Sequence, residues 1–495
     1  MEDAAEPRRS FRRHFQNWIS WLGLLLSASA LFAFLLLFLI DLFAARPSPY
    51  VGILAYLAAP LFFLLGCVLA VVGALLARRR ESRSIKRHEP LAIRIDLSRK
   101  RDRRILAAFA FGAVAFLFIT ALGSYQTYQY TESVEFCGQR CHAPMKPEFV
   151  SSQHSPHAKV ECVACHVGPG AAAYFKTKFN GIKQLYHALR DDYDRPIYVS
   201  EANPRPPQAI CEQCHWPQRY VGNIVRSYQH YLSDEQNTPF AVRLLLNVGG
   251  GDLSNGPSGG IHWHMNIANK IEYIATDKNR ETIAWVRMTN PQGVVTEYRT
   301  PEFTDDPARH QIQRMDCMDC HSRPAHRIHT PNDAIDLALS TGRLDPKTPW
   351  VKSKVVAALT KEYKTTPEGE QGVAASLREA YPDAGTADPI IRVAQEIYRA
   401  NFFPEVKTDW RAHPDFIGHK NWNGCFRCHD GKHTTADGKS SIKASDCRSC
   451  HLILAQGNGE QLQQVNFQGH NFFHVDSEYS DFSCTDCHTG GIQKE

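Results

Sequence analysis

Three runs of apolar residues interrupt an otherwise polar chain. Trp21 to Ile40, Val51 to Ala77 and Ile105 to Leu122 contain no Asp, Glu, Lys or Arg. A helix that crosses a bilayer needs about 20 apolar residues. The pattern therefore predicts three membrane-spanning helices, over 17–43, 49–77 and 105–125. The first run is too long for the apolar part of a signal peptide, and no small-residue cleavage pattern follows it promptly.

Beyond Leu122 the pattern becomes short-ranged. "IEYIAT", "ETIAWVRMT" and "VVTEYRT" alternate apolar and polar residues and are separated by the turn sequences "DKNR" and "NPQG". They predict an antiparallel β-meander, the one sheet expected. "AAAYFKTKFNGIKQLYHALRDDY" has helical spacing. "PNDAIDLALSTG" reads as a helix from an Asn332 cap to Gly342, and "SKVVAALTKEY", "VAASLREAY" and "DPIIRVAQEIYRANFF" read as further helices. Much of the remainder is irregular, and apolar runs suited to a large core are few.

Charge orients the membrane segments. Residues 1–122 hold 17 Lys+Arg against 8 Asp+Glu, whereas the rest hold 39 against 43. The basic residues flank apolar runs, so the partner they imply is a lipid bilayer, with no nucleic acid. Arg8, Arg9, Arg12 and Arg13 precede the first run, and 12 Lys+Arg lie in 78–104. Excess positive charge marks the cytoplasmic side. Residues 1–16 are thus expected to be a cytoplasmic tail and 78–104 a cytoplasmic loop. Everything after the third helix is expected outside, in the periplasm of a bacterial inner membrane. Tyr125, Tyr128 and Tyr130 suit the outer interface.

Fourteen of the 15 cysteines fall in that outer part, as seven pairs. They are Cys137/Cys141, Cys162/Cys165, Cys211/Cys214, Cys317/Cys320, Cys425/Cys428, Cys447/Cys450 and Cys484/Cys487. The fifteenth, Cys67, lies in the second apolar run as a small packing residue. Disulfides, zinc ribbons and thioredoxin-like sites all use paired cysteines, but none needs a histidine after the second one. Here every pair has one: His142, His166, His215, His321, His429, His451 and His488. Cys-x-x-Cys-His attaches c-type haem: the thiols bond the porphyrin and the histidine reaches the iron as proximal ligand. Seven covalently bound haems are expected, and they would provide much of the apolar interior of the outer part.

The pairs divide the outer part into 126–215 with haems 1–3, a 216–316 linker with the meander, 317–424 with haem 4 and helices, and 425–495 with haems 5–7. This spacing suggests two haem clusters joined by a middle section. No sequence repeat accompanies the motif, so this is not a solenoid. Electron-transfer haems are usually closed on both faces by His/His or Met/His. Fourteen outer histidines lie outside the motifs. The best placed as second ligands are His157, His264 (with His262 competing), His326, His419, His433 and His474. His187 and His230 stand in reserve.

The first motif is odd, with three residues between its cysteines. The stretch "SVEFCGQRCHAPMKPEF … SPHAKVECVACHVGPG … KTKFNGIKQL", roughly Ile105 to Arg190 with its helix, resembles the N-terminal region of NapC/NirT-type membrane cytochromes. The full layout is similar to heptahaem inner-membrane cytochromes of metal-respiring bacteria. The resemblance implies a quinol dehydrogenase: menaquinol is oxidised at the outer leaflet, and electrons pass to a periplasmic redox partner in anaerobic or extracellular respiration. It implies that Met145 or His142 ligates the first iron. It also implies that Lys176, Lys178 or Lys183 contacts the quinol, with Glu148 and His187 as proton acceptors. Two other functions fit the same motifs: a terminal reductase of a small oxyanion at an open haem, and a non-enzymatic conduit. A homo-oligomer or a membrane partner subunit fits either.

The fold class expected is a membrane-anchored multihaem cytochrome c. It has three N-terminal spanning helices and a mainly helical and irregular, haem-packed outer region carrying a small meander.

Overall fold

Each apolar run lies in a helix of the computed structural model, which describes residues 17–43, 51, 54–84, 98–140, 142–167, 171–197, 210–216, 222–249, 260–265, 269–443, 447–475, 484–488 and 490. The tail 1–16 and most of the basic loop lie outside these residues. Two units are formed, Met1–Cys137 and Gly138–Glu495.

The first unit contains α1 (Trp18–Phe43), α2 (Ala59–Ser84, entered through a π-helical turn, Leu54–Ala58) and α3 (Lys100–Glu132). Stretches Trp18–Ile40, Leu54–Ala77 and Ala110–Glu132 are long and apolar enough to cross a membrane. α3 starts before its apolar run, because Lys100–Arg104 contains no helix breaker, and it continues through the three tyrosines. Small residues bring α1 and α2 together, as close backbone packing in lipid requires. Ser20 Oγ donates to the Ala70 carbonyl (2.9 Å) and Ser27 Oγ to that of Phe63 (3.2 Å). Cys67 Sγ lies 3.5 Å from Ser27 Oγ. A Cβ on Gly66 would fall 2.6 Å from the Ser27 backbone nitrogen. Gly66→Leu is therefore expected to destabilise the helix pair by about 1–3 kcal/mol, read as a lower melting temperature in detergent. An unchanged melting temperature would refute this packing. Phe34, Tyr56 and Phe116 tie in the third helix.

The second unit begins with α4 (His142–Gln153), α5 (Cys162–His166) and α6 (Ala171–Arg190). Next come β1 (Ile224–Tyr231) and β2 (Pro239–Leu246), an antiparallel hairpin. The meander follows as β3 (Lys270–Ala275), β4 (Ile283–Thr289) and β5 (Val295–Arg299), with β6 (Gln313–Arg314) added to β3 in the order β5–β4–β3–β6.

Four helices come next: α7 (Pro331–Ser340), α8 (Val351–Thr360), α9 (Thr366–Ala380) and α10 (Ala384–Asn401). α7 is capped by Thr330, whose Oγ1 accepts from Asp333 N (3.1 Å), and not by Asn332. Pro331 sets the first helical φ, which moves the start upstream. Asp383 caps α10 in the same way, by accepting from the backbone of Thr386.

One expectation needs correction. The meander is not the one sheet: β7 (His451–Gly457) pairs with β2 to give a second sheet, β1–β2–β7. The helical section also has an interior of its own. Ile335, Val351, Leu359, Leu377, Ile397, Phe403 and Trp410 form an apolar core of side chains between the four helices. Helical spacing assembles this core from scattered aliphatic and aromatic residues, so no long apolar run announces it.

A buried ion pair fastens the helices to the hairpin. Lys352 Nζ lies 2.6 Å from Asp336 Oδ1, and His230 Nδ1 lies 3.2 Å from Asp336 Oδ2.

Candidate functional site

Most of the cysteine pairs sit on a single helical turn. The motifs occupy α5, 3-10 turns at Cys317–Asp319 and Gly424–Arg427, and the short helices α11 (Cys447–Cys450) and α12 (Cys484–Cys487). In four of them the histidine backbone N–H donates to the carbonyl of the first cysteine, at 2.8 Å for His215 and His321, 3.0 Å for His429 and 2.7 Å for His488. One such turn holds two thiols and an imidazole in a fixed relation. The first motif is built differently. Phe136–Arg140 is a π-helical turn, and i→i+5 geometry absorbs the extra residue. Cys141 and the side chain of His142 lie outside what is described, as does the Cys447 side chain. Met145 is half-buried on α4, one turn beyond His142.

The thiols expected to bond porphyrin differ in their exposure. In the third motif Cys211 is half-buried whereas Cys214 is exposed. Cys211 takes the inward position, beside Cys317. The turn then closes at Cys214, whose backbone N–H donates to the Cys211 carbonyl (3.1 Å), and its side chain stays at the surface. Cys165 and Cys487, the second cysteines of the second and seventh motifs, are exposed in the same way. An exposed thiol at the end of a turn remains open to attachment from outside.

The remaining six motif histidines are each paired with a histidine from elsewhere in the chain. Ring centroids are 6.1 Å apart for His166 and His326, 6.0 Å for His215 and His157, 6.4 Å for His321 and His262, 5.9 Å for His429 and His264, 6.3 Å for His451 and His419, and 6.0 Å for His488 and His474. Two imidazoles on opposite sides of one metal, each at about 2 Å, would have centroids about 6.4 Å apart. The spacing fits an iron between the rings.

Hydrogen bonding agrees with that fit. Nδ1 donates to a backbone carbonyl in His157 (Pro324, 3.2 Å), His262 (Val248, 3.2 Å), His264 (Ile261, 2.8 Å), His326 (Glu148, 3.0 Å) and His429 (Lys443, 3.3 Å). A bonded Nδ1 fixes the tautomer that leaves Nε2 for a metal. Nδ1 of His419 and of His451 is buried without a hydrogen-bond partner, which costs about 1–3 kcal/mol for a polar atom with nothing to bind. Burial pushes the imidazoles of His262, His264, His321, His326, His419 and His451 below their usual range. It also takes His488 down to about 4, aided by nearby Lys420. Neutral rings are the ligating form. Among the described residues, no three His, Cys, Asp or Glu side chains gather as ligands of a bare metal ion.

From the second to the fifth, successive motifs are neighbours: Cys165 lies near Cys211 and Cys214, Cys211 near Cys317, and Cys320 near Cys425. His419 stacks on Phe426 of the fifth motif at 4.4 Å, and Thr485 Oγ1 donates to Asn423 Oδ1 (3.1 Å). The β2–β7 pairing places His451 opposite Leu246.

The other sequence candidates are placed as follows. His433 is not paired with a motif histidine. It is fully buried, with Nδ1 2.9 Å from Asp430 Oδ1 and Nε2 donating to the Ile283 carbonyl (3.1 Å). His262, expected only to compete with His264, has a partner of its own. The signal was present in the sequence: on one 3-10 turn, Ile261–Met265, residues two apart point in different directions. Glu148 accepts from Arg323 Nη2 (2.8 Å) and lies 3.3 Å from His326 Nδ1. His187 Nδ1 is 2.9 Å from Asp192 Oδ1. His230 is held by Asp336. Lys176, Lys178 and Lys183 lie on α6.

Comparison with known proteins gives the class. The model of the NapC/NirT cytochrome c family, N-terminal region, matches residues 99–204, and the chain belongs to this family of membrane electron-transfer cytochromes. It is 35% identical over 492 residues to the cytochrome c-type protein ImcH of Geobacter sulfurreducens, covering 96% of each chain. No solved structure matches.

Proposed function

We propose that this chain is a quinol dehydrogenase that carries seven c-type haems on the outer side of the inner membrane. The observation that carries the reading is the contrast between six motif histidines with a ring opposite and a first motif built on a π-helical turn. Six haems closed on both faces suit electron relay and leave no outer iron open for an oxyanion. The different first site suits contact with a lipid-borne donor.

His166/His326, His215/His157, His321/His262, His429/His264, His451/His419 and His488/His474 would hold haems 2–7, and His142 or Met145 the first. Bound haems supply one-electron chemistry. The chain's own work is to orient the rings, five of them through an Nδ1 bond to a backbone carbonyl, to exclude water, and to bind quinol and receive its protons. Lys176, Lys178, Lys183 and His187 on α6 are the candidate groups for the quinol site, with Glu148, which is held by Arg323 and His326, as a further proton acceptor.

The test is reduction of the purified holoprotein by a menaquinol analogue. Lys176→Ala, Lys178→Ala or Lys183→Ala is expected to lower the rate by about 10²-fold in at least one case, the scale of a lost proton-handling group. Full rates in all three would remove the lysine assignment. No reduction of the unaltered protein would favour a conduit reduced by a partner subunit.

A further inference from the structure

We infer that α6 lies along the membrane surface, with its apolar face in the lipid and its cations at the headgroups. Phe179, Ile182, Tyr186 and Leu189 are 69%, 63%, 53% and 79% exposed. At 3.6 residues per turn they share an arc of about 80°. Lys178 flanks this arc on one side, and Lys176, Lys183 and Arg190 flank it on the other. Asn180, Gln184, Thr177 and Ala188 lie opposite. The apolar stripe is left open, and Asn180 and Gln184 across the helix are exposed as well.

A soluble helix buries such a stripe. A helix lying in a bilayer interface has this arrangement: an apolar stripe edged by Lys and Arg whose stems reach the headgroups. The helix contains four cations and no acidic residue. Of the three acidic residues just after it, Asp192 pairs with Arg190 and His187, and Asp191 with Arg195. A lipid surface is always within reach, because the same chain carries three spanning helices. The occupant is therefore an anionic phospholipid leaflet. This inference needs membrane anchoring but not quinol oxidation.

The test uses the full-length holoprotein in nanodiscs containing phosphatidylglycerol and phosphatidylethanolamine. The photoreactive residue p-benzoylphenylalanine is placed singly at Ile182, Leu189, Asn180 or Gln184. Mass spectrometry after irradiation is expected to find phospholipid adducts at Ile182 and Leu189, about tenfold fewer at the other two, and phosphatidylglycerol above its mole fraction. Adducts at Ile182 and Leu189 to haem-bearing or other peptides would overturn the inference, since the stripe would then be covered by protein. Equal yields at all four positions, or no lipid adducts, would also overturn it. The readout does not depend on turnover, so its failure and a failure of the quinol assignment are distinct.

Discussion

Replacing His262 by alanine is expected to open one face of a single haem and leave the rest closed. The ring of His262 stands 6.4 Å from that of His321, nearly parallel to it, with Nδ1 held by the Val248 carbonyl. Its removal should convert one haem in seven from six-coordinate low-spin to five-coordinate high-spin, visible by electron paramagnetic resonance and by ligand-binding spectra with carbon monoxide. His433→Ala is the control. It removes a fully buried ring between Asp430 and the Ile283 carbonyl. It should cost about 1–3 kcal/mol in stability for the acceptors left unpaired while the spin-state count stays unchanged. A high-spin haem in the His433 variant and none in the His262 variant would reverse the two assignments.

The second large effect concerns haem removal. Expression without haem attachment should take the haemochrome count from seven to zero and collapse most of the outer region. A protease-resistant fragment spanning roughly 328–410 should remain. The paired rings stand about 6 Å apart, a spacing that suits two ligands of one iron, so their segments are expected to need the group they would ligate. The helical section is different. Ile335, Val351, Leu359 and Leu377 are fully buried among their own neighbours, and α7, α9 and α10 are capped by Thr330, Thr365 and Asp383. At about 1.5–3 kcal/mol per buried aliphatic side chain, such a core needs no cofactor. Digestion of the whole outer region at a uniform rate would show that haem packing supports the helices as well.

The sequence was legible where its signals are local. Apolar length located α1–α3, period-two alternation located β3–β5, and the adjacent Cys and His residues located the motifs. It was poorly legible where partners are remote. β7 pairs with β2 from the far end of the chain, and "HLILAQG" reads as motif context until the hairpin it joins is known. His433 lies beside a motif in sequence yet faces Ile283, whereas His262 lies far from the fourth motif in sequence and opposite it in space. Nearness along the chain is a weak guide to a second ligand. What marks that ligand is the right separation and, in His157, His262, His264 and His326, a carbonyl that holds its Nδ1. The contrast between Cys211 and Cys214 was hidden for the same reason, since the neighbour of Cys211 is Cys317, more than a hundred residues away. The core of α7–α10 was missed on related grounds: it is spread over four amphipathic faces.

The pairing has a consequence for biogenesis. If the paired rings are the axial ligands, then His157, His262, His264, His419 and His474 are all translated before the motif they serve. Each of those haems can be closed as soon as its thiols are joined. His166 alone waits for a downstream residue, His326, on the far side of two further motifs. During export the second centre thus stays exposed longest. It is the point at which a stalled or truncated chain would carry a reactive iron next to the site where the donor's electrons arrive.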